Sequence, residues 1–220
     1  MKLQGAIFDV DGTLVDSNGA HAEAWRDALA EFGIPKPLPE IRALIGMGGD
    51  KVIEKLTGLD PEGARARQLT EWRARRFREV YLPDILPFPQ TRELFEVLRD
   101  DSVKRAIATS GKRAELNPLL EIAGVASLVD HVVSADDAEE SKPDADIFLA
   151  ALDRLDCERR LVRAIGDTPY DVEAARRAGI AIVAVRCGGW DDQHLAGATA
   201  IVDDPAAILR HYLRAGRTPE

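Results

Sequence analysis

The chain carries only two cysteines in 220 residues, Cys157 and Cys187, with no Cys-x-x-Cys and no histidine cluster beside them. Neither a disulfide framework nor a zinc site follows from that spacing, and a reducing cytoplasm is the expected compartment. No apolar run approaches the ~20 residues of a membrane-spanning helix, and the amino terminus lacks a charged segment followed by a long apolar stretch. Neither membrane attachment nor export is expected. Positive charge is also in short supply: 29 Lys and Arg face 38 Asp and Glu, a net charge of −9. That balance lacks the basic face that nucleic acid would need, so an acidic protein handling anions must concentrate its positive charge locally. There is no internal repeat and no low-complexity segment. What is present, 45% apolar and 30% charged residues, suits a soluble globular protein of one large domain, or of one domain carrying an insertion.

The organising stretch is Ile7-Phe8-Asp9-Val10-Asp11-Gly12-Thr13. A short apolar run ends on two carboxylates one residue apart, and glycine follows where the chain must turn. Residues two apart on a strand point the same way, so Asp9 and Asp11 can converge where the strand gives out. Two carboxylates that close repel each other, which asks for a metal ion or a proton between them.

Past this strand the periodicity is helical. Ala20, Ala24, Trp25, Ala28, Leu29 and Phe32 fall at helical spacing after a candidate cap at Ser17 or Asn18, and Gly33 ends the run. Shorter helices containing Ile41 and Leu44, then Val52, Ile53 and Leu56, flank Gly46-Met47-Gly48-Gly49. A longer helix places Leu69, Trp72, Phe77 and Val80 on a buried stripe, leaving Arg65, Arg67, Arg73, Arg75, Arg76 and Arg78 as a solvated face. After Pro83, Pro87 and Pro89 the pattern changes to alternation: helix 90–100, strand 104–109, helix 113–123, strand 129–133, helix 144–155, strand 162–166, helix 170–178, strand 180–185, a short strand 200–202 and a final helix. Such alternation predicts an α/β fold, a doubly wound parallel sheet covered on both faces. The first strand must join that sheet, so residues 1–15 and 85–220 form the core domain and 16–84 an inserted α-helical domain.

Ligands of open parallel sheets bind beyond the carboxyl ends of the strands. Those ends carry Asp9 and Asp11, then Thr109-Ser110-Gly111, then Ser141-Lys142-Pro143, then Gly166-Asp167 with Asp171 four residues on. Singly, each has a plainer reading: acids at a helix start, a helix cap, a solvated lysine. Together they supply carboxylates, a hydroxyl beside a glycine and a lysine at one edge, the inventory for a magnesium ion and a phosphate.

Asp9-Val10-Asp11-Gly12-Thr13, the strand ending in Thr109-Ser110, Lys142-Pro143 and the 166–171 stretch Gly-Asp-Thr-Pro-Tyr-Asp resemble, in order, the four motifs of the haloacid dehalogenase superfamily. The helical insertion resembles that family's cap, and Asp16-Ser17, His21 and Trp25 resemble the branch containing phosphoglycolate phosphatase and beta-phosphoglucomutase. The resemblance implies that Asp9 attacks phosphorus and forms an aspartyl-phosphate, while Asp11 protonates the leaving oxygen and later takes a proton from water. It implies Mg2+ held by Asp9, the Asp11 backbone carbonyl and Asp167, with Asp171 as ligand or orienter. Thr109 would bind phosphoryl oxygens, and Lys142 would offset charge on the nucleophile. Gly12, Ser110 and Gly111 are candidate phosphate-binding residues, and His21 and Lys51 candidate substrate contacts from the insertion.

Asp11 separates the chain from the superfamily's dehalogenases, in which that aspartate is replaced. The loop Gly46–Lys51 stands where beta-phosphoglucomutase carries a substrate-gripping arginine, and Gly166 stands where it carries an acid. The expectation is a magnesium-dependent phosphatase acting on a small phosphorylated metabolite, a monomer or a weakly self-associating chain. A beta-phosphoglucomutase-like phosphomutase and a non-catalytic phospho-ligand-binding regulator are the alternatives.

Overall fold

In a computed structural model, which describes residues 2–138 and 140–215, the chain builds one sheet and two sets of helices. The strands are β1 (Gly5–Phe8), β2 (Lys104–Ala108), β3 (His131–Val133), β4 (Val162–Gly166), β5 (Ala181–Val185) and β6 (Ala200–Val202). All neighbours pair in parallel, in the order β3-β2-β1-β4-β5-β6. All four residues of β1 are buried, as a strand covered on both faces requires. Its alternation divides the core: Ala6 and Phe8 pack with Leu94, Phe95, Leu98, Ile107 and Leu119 on one side, whereas Ile7 packs with Ala106, Phe148, Ala151 and Ala164 on the other.

Helices α1 (Asn18–Glu31), α2 (Leu38–Arg42), α3 (Gly49–Thr57) and α4 (Ala64–Arg76) precede the alternating part. There α5 (Thr91–Asp100), α6 (Arg113–Ile122), α7 (Asp146–Leu155), α8 (Pro169–Ala178) and α9 (Pro205–Ala215) cover the sheet. The alternation read from the sequence is present, with element ends within two residues of those expected. Strand order reverses at β1, so the carboxyl end of β1 lies at the crevice where open α/β sheets bind ligands.

The first four helices enclose a core of their own, with Trp25, Leu29, Ile41, Val52, Ile53 and Leu69 at its centre. The chain leaves the sheet and returns along two linkers lying side by side: the Asp16 N–H donates to the Leu86 carbonyl at 2.9 Å and the Phe88 N–H to the Leu14 carbonyl at 3.0 Å. One expectation fails in detail. Leu69 and Phe77 are fully buried, but Trp72 is half-buried and Val80 is 40% exposed. After α4 the chain winds as a π-helix over Phe77–Tyr81, and the wider turn rotates Val80 off the stripe that a 3.6-residue period would continue. Because Leu69 sits inside the helical layer's own core, Leu69→Ala should cost about 2–5 kcal/mol in urea unfolding. A loss below about 1 kcal/mol would contradict that packing.

Candidate active site

Asp9 follows β1 directly, and its N–H continues the ladder by donating to the Ile165 carbonyl at 2.9 Å. The strand therefore fixes where its carboxylate emerges. Lys142 reaches that carboxylate from the loop between β3 and α7, donating to Asp9 Oδ1 at 2.6 Å and to the Ala108 carbonyl at 2.8 Å. It also pairs with Asp171 Oδ1 at 2.8 Å, and only 1% of the lysine is exposed. Two hydrogen bonds and one further ionic contact surround the buried charge with oxygen.

Asp167 follows β4 and is completely buried; it accepts from Thr13 Oγ1 at 3.0 Å and from Asn18 Nδ2 at 2.7 Å. Asn18 opens α1 and donates also to the Gly188 carbonyl at 3.0 Å, so the first residue of the helical layer rests on a core carboxylate. Gly12 permits this approach. Its φ is +74°, and a Cβ there would stand 2.3 Å from Asp167 Oδ2 and 2.2 Å from Asn18 Nδ2. Asp171 lies in the first turn of α8, where Thr168 caps the helix by accepting from the Asp171 N–H and donates back to Asp171 Oδ2 at 2.6 Å. At Gly166 a Cβ would sit 2.6 Å from Asp171 Cβ, which leaves no room for the acid that the mutase alternative would need there.

Asp9, Asp167 and Asp171 present carboxylate oxygens that all lie within 4.8 Å of one another. Burial pushes Asp9 up to about 7 although Lys142 opposes the shift, and the charges of Asp171 and Asp11 add to it. Burial likewise lifts Asp167 well above the usual carboxylate range, with Asp171 and Asp9 adding to it. Burial alone would depress Lys142, but Asp171 and Asp9 outweigh it and hold the ammonium above its ordinary value. Three buried acids against one ammonium leave negative charge uncompensated. An all-oxygen donor set in that state fits a hard divalent cation.

Asp11 diverges from Asp9. Its Oδ1 accepts from Ser17 Oγ at 2.5 Å and lies 2.8 Å from His21 Nε2, and the His21 ring stacks on Phe77 with centroids 4.0 Å apart. Burial raises the Asp11 carboxyl, but the His21 charge and hydrogen bond, the Ser17 hydroxyl and the Arg73 charge together bring it below its ordinary value. Thr109 follows β2, with its N–H held by the Val133 carbonyl at 3.1 Å and its Oγ1 accepting from the Gly111 N–H at 3.0 Å. Ser110 Oγ accepts from the Lys142 N–H at 3.3 Å, tying the second and third strand ends together.

Asp9, Asp11, His21, Thr109, Ser110 and Gly111 converge on a pocket of about 70 Å³ roofed by Trp25, Met47 and Val52. A cleft of about 800 Å³ adjoins it through Gly49, Arg73, Ser110, Gly111 and Glu115. Lys51 lines neither cavity. Its ammonium instead donates to the Ser141 carbonyl at 2.7 Å and to Asp144, while Ser141 Oγ donates to Asp50 at 2.9 Å. A charge beside Asp144 has its partner already, so Lys51 joins the helical layer to the Lys142 loop and does not face the pocket.

The arginine face also departs from expectation. Arg67 pairs with Glu62 and Arg76 with Asp27, but Arg73 turns inward, its guanidinium 5.2 Å from the Trp25 ring centroid and Nη1 donating to Glu115 Oε2 at 2.7 Å. Thr13, Asn18, Arg73 and Glu115 are the residues that sequence reading missed. Asn18 was legible only as a cap candidate, and nothing local in the sequence pairs Arg73 with Glu115, 42 positions away.

This geometry, a parallel-sheet crevice with buried carboxylates around one lysine, belongs to the class of aspartate-centred hydrolases. The description "Haloacid dehalogenase-like hydrolase" covers a family model matching residues 6–185, and the chain belongs to that family. Among its relatives, a phosphoglycolate phosphatase of Rhodospirillum rubrum is 31% identical over 93% of this chain and 89% of its own length. A fructose-1-phosphate phosphatase of Escherichia coli is 28% identical over 84% of this chain and 97% of its own. A solved hydrolase from Pseudomonas syringae superposes with a TM-score of 0.89 at 32% identity, covering 96% of this chain and 98% of that one. The chain is a phosphatase of the branch that includes phosphoglycolate phosphatase and beta-phosphoglucomutase-like proteins.

The electrostatics give a pH test without activity. Burial and the neighbouring carboxylates hold the Asp9 proton affinity well above the ordinary carboxylate value of 3.8, so folding takes up protons as pH falls below neutrality. With a chelator present, the urea midpoint should fall as pH rises through the range from the ordinary carboxylate value toward neutrality; a divalent cation should flatten the slope and Asp9→Asn should reduce it, Asp167 supplying the rest. A chelated midpoint that climbs through that range would contradict the uncompensated acids.

Proposed function

We propose that the chain is a magnesium-dependent phosphatase that hydrolyses a small phosphomonoester through an aspartyl-phosphate on Asp9. The single observation that carries this reading is the buried Lys142 ammonium bridging Asp9 and Asp171 beside Asp167, with Asp11 held apart by Ser17 and His21. Asp9, the Asp11 backbone carbonyl and Asp167 would hold the ion, with Asp171 orienting through Lys142 and Thr168. Bound magnesium supplies positive charge that lets a carboxylate meet an anionic ester.

An oxygen of the Asp9 carboxylate attacks phosphorus in line, the bond to the leaving oxygen breaks, and Asp11 gives that oxygen its proton. Approach of the phosphoryl dianion opposes the His21 charge and raises Asp11's affinity for the proton it must carry. Asp11 then takes a proton from water, whose oxygen attacks the aspartyl-phosphate and releases phosphate and free Asp9. The Thr109 hydroxyl and the Ser110 N–H receive phosphoryl oxygens, and Lys142 offsets the charge gathering on Asp9. Residues 16–84 act as a cap over the 1–15 and 85–220 core, hinged at the paired linkers and closing to keep water from the leaving-group side.

Relatives acting on phosphoglycolate and fructose 1-phosphate support a phosphorylated two-carbon acid or sugar as substrate. Among the described residues no helix is long and apolar enough to cross a membrane, which suits a metabolite of the cytoplasm. Phosphate release should require magnesium and fall by ~10³-fold or more in Asp9→Asn. Retention of near-wild-type turnover by that variant would overturn the reading. Because Asn18 orients Asp167, Asn18→Ala should weaken magnesium binding by about tenfold, read from the magnesium dependence of the melting temperature. An unchanged titration would show that Asp167 needs no such support.

A further inference from the structure

We propose that the leaving group is a neutral, polyhydroxylated carbon skeleton of sugar type, recognised by the Arg73–Glu115 pair, and not a group bearing a second negative charge. The inference rests on the phosphatase reading above and narrows its substrate. In-line attack by Asp9 sends the leaving group into the pocket, whose lining includes Asp11 and Trp25 with Arg73, Glu115, Leu116 and Leu119.

Charge decides between the two classes of leaving group. Among the residues lining the pocket, the side chains able to carry positive charge are His21 and Arg73. His21 is engaged by Asp11 at 2.8 Å, and Arg73 Nη1 by Glu115 Oε2 at 2.7 Å. The pair is almost dry, its side chains 12% and 10% exposed. Inside this pocket a second carboxylate or phosphate would meet Asp11 and Glu115, and could take Arg73 only by leaving Glu115 buried without its partner. A hydroxyl group faces no such conflict.

Hydrogen bonding points the same way. Arg73 and Glu115 both line the pocket, so a guanidinium donor and a carboxylate acceptor stand side by side at its wall. A hydroxyl matches both at once, accepting from the guanidinium and donating to Glu115. Around the pair, the Trp25 ring beneath the guanidinium and the side chains of Met47, Val52 and Leu116 offer apolar surface for the C–H faces of a sugar. The arrangement also has room. The adjoining cleft of about 800 Å³ interleaves Arg67, Arg75, Arg78 and Lys112 with Asp50, Glu62, Glu71 and Glu140, a balanced set of donors and acceptors that further hydroxyls can use and that a two-carbon acid would not reach.

The test compares kcat/KM for hexose monophosphates, phosphoglycolate and a hexose bisphosphate with wild type, Glu115→Gln and Arg73→Lys. Wild type should favour hexose monophosphates by tenfold or more. Glu115→Gln, which frees the Arg73 charge, should shift the ratio of hexose phosphate to phosphoglycolate by about tenfold or more toward phosphoglycolate. Arg73→Lys should lower the hexose phosphate rate through KM, because an ammonium lacks the planar fork. Wild-type preference for phosphoglycolate or the bisphosphate would overturn the inference and leave the phosphatase reading standing, as would an equal loss on every substrate in Glu115→Gln. If that variant does not fold, the wild-type ranking alone decides. Absence of phosphate release from any compound would overturn both.

Discussion

The rest of the structure depends on one buried ammonium. Lys142 is held among Asp9, Asp171 and the Ala108 carbonyl, and without it three carboxylates would share one dry volume with nothing to offset them. Each partner arrives from a different strand end. Asp9 comes from β1, the Ala108 carbonyl from the end of β2, and Asp171 from the helix after β4, so only a sheet with β1 between β2 and β4 can assemble the group. The same strand order puts the switch in winding direction at β1. Fold and site are consequences of one pairing.

The lysine does not complete the compensation. Asp167 remains far above the ordinary carboxylate range, and its oxygens are steadied by neutral donors, Thr13 and Asn18. Asn18 belongs to the helical layer, as do Ser17 and His21 on Asp11 and Lys51 on the lysine loop. The helical layer therefore touches the crevice at Asp167, at the proposed acid/base and at the Lys142 loop. Any movement of α1 relative to the sheet changes the surroundings of both Asp11 and Asp167. The proposed cap and the proposed ion are coupled through those contacts.

Much of this was legible in the sequence because it follows from short-range pattern. The alternation beyond Pro89 gives the parallel sheet, and residues immediately after apolar strands gave Asp9, Asp11, Thr109 and Asp167 as a group at one edge. Lys142 was placed by following the loop after the third strand of the alternating pattern, and its order among the motifs agreed. The failures have physical causes. Arg73 stands four residues after Leu69 and four before Phe77, on the buried stripe itself, but an arginine there reads as surface until a ring and a carboxylate are seen to receive it. Lys51 was expected to face substrate because glycines precede it, whereas its partner Asp144 lies 93 positions away. The π-turn at Phe77–Tyr81 leaves no mark in the hydrophobic pattern and displaces Val80. Long-range ion pairs and local changes of helix period are what a single sequence conceals.

The account turns on Asp9 as the atom that receives phosphorus. Rapid quenching of the magnesium-loaded enzyme with a radiolabelled phosphomonoester, followed by proteolysis, tests this directly. Acid-stable, hydroxylamine-labile label should appear on the peptide that contains Asp9 and be absent from Asp9→Asn. Turnover with no labelled peptide, or label on a peptide that excludes Asp9, would contradict the account.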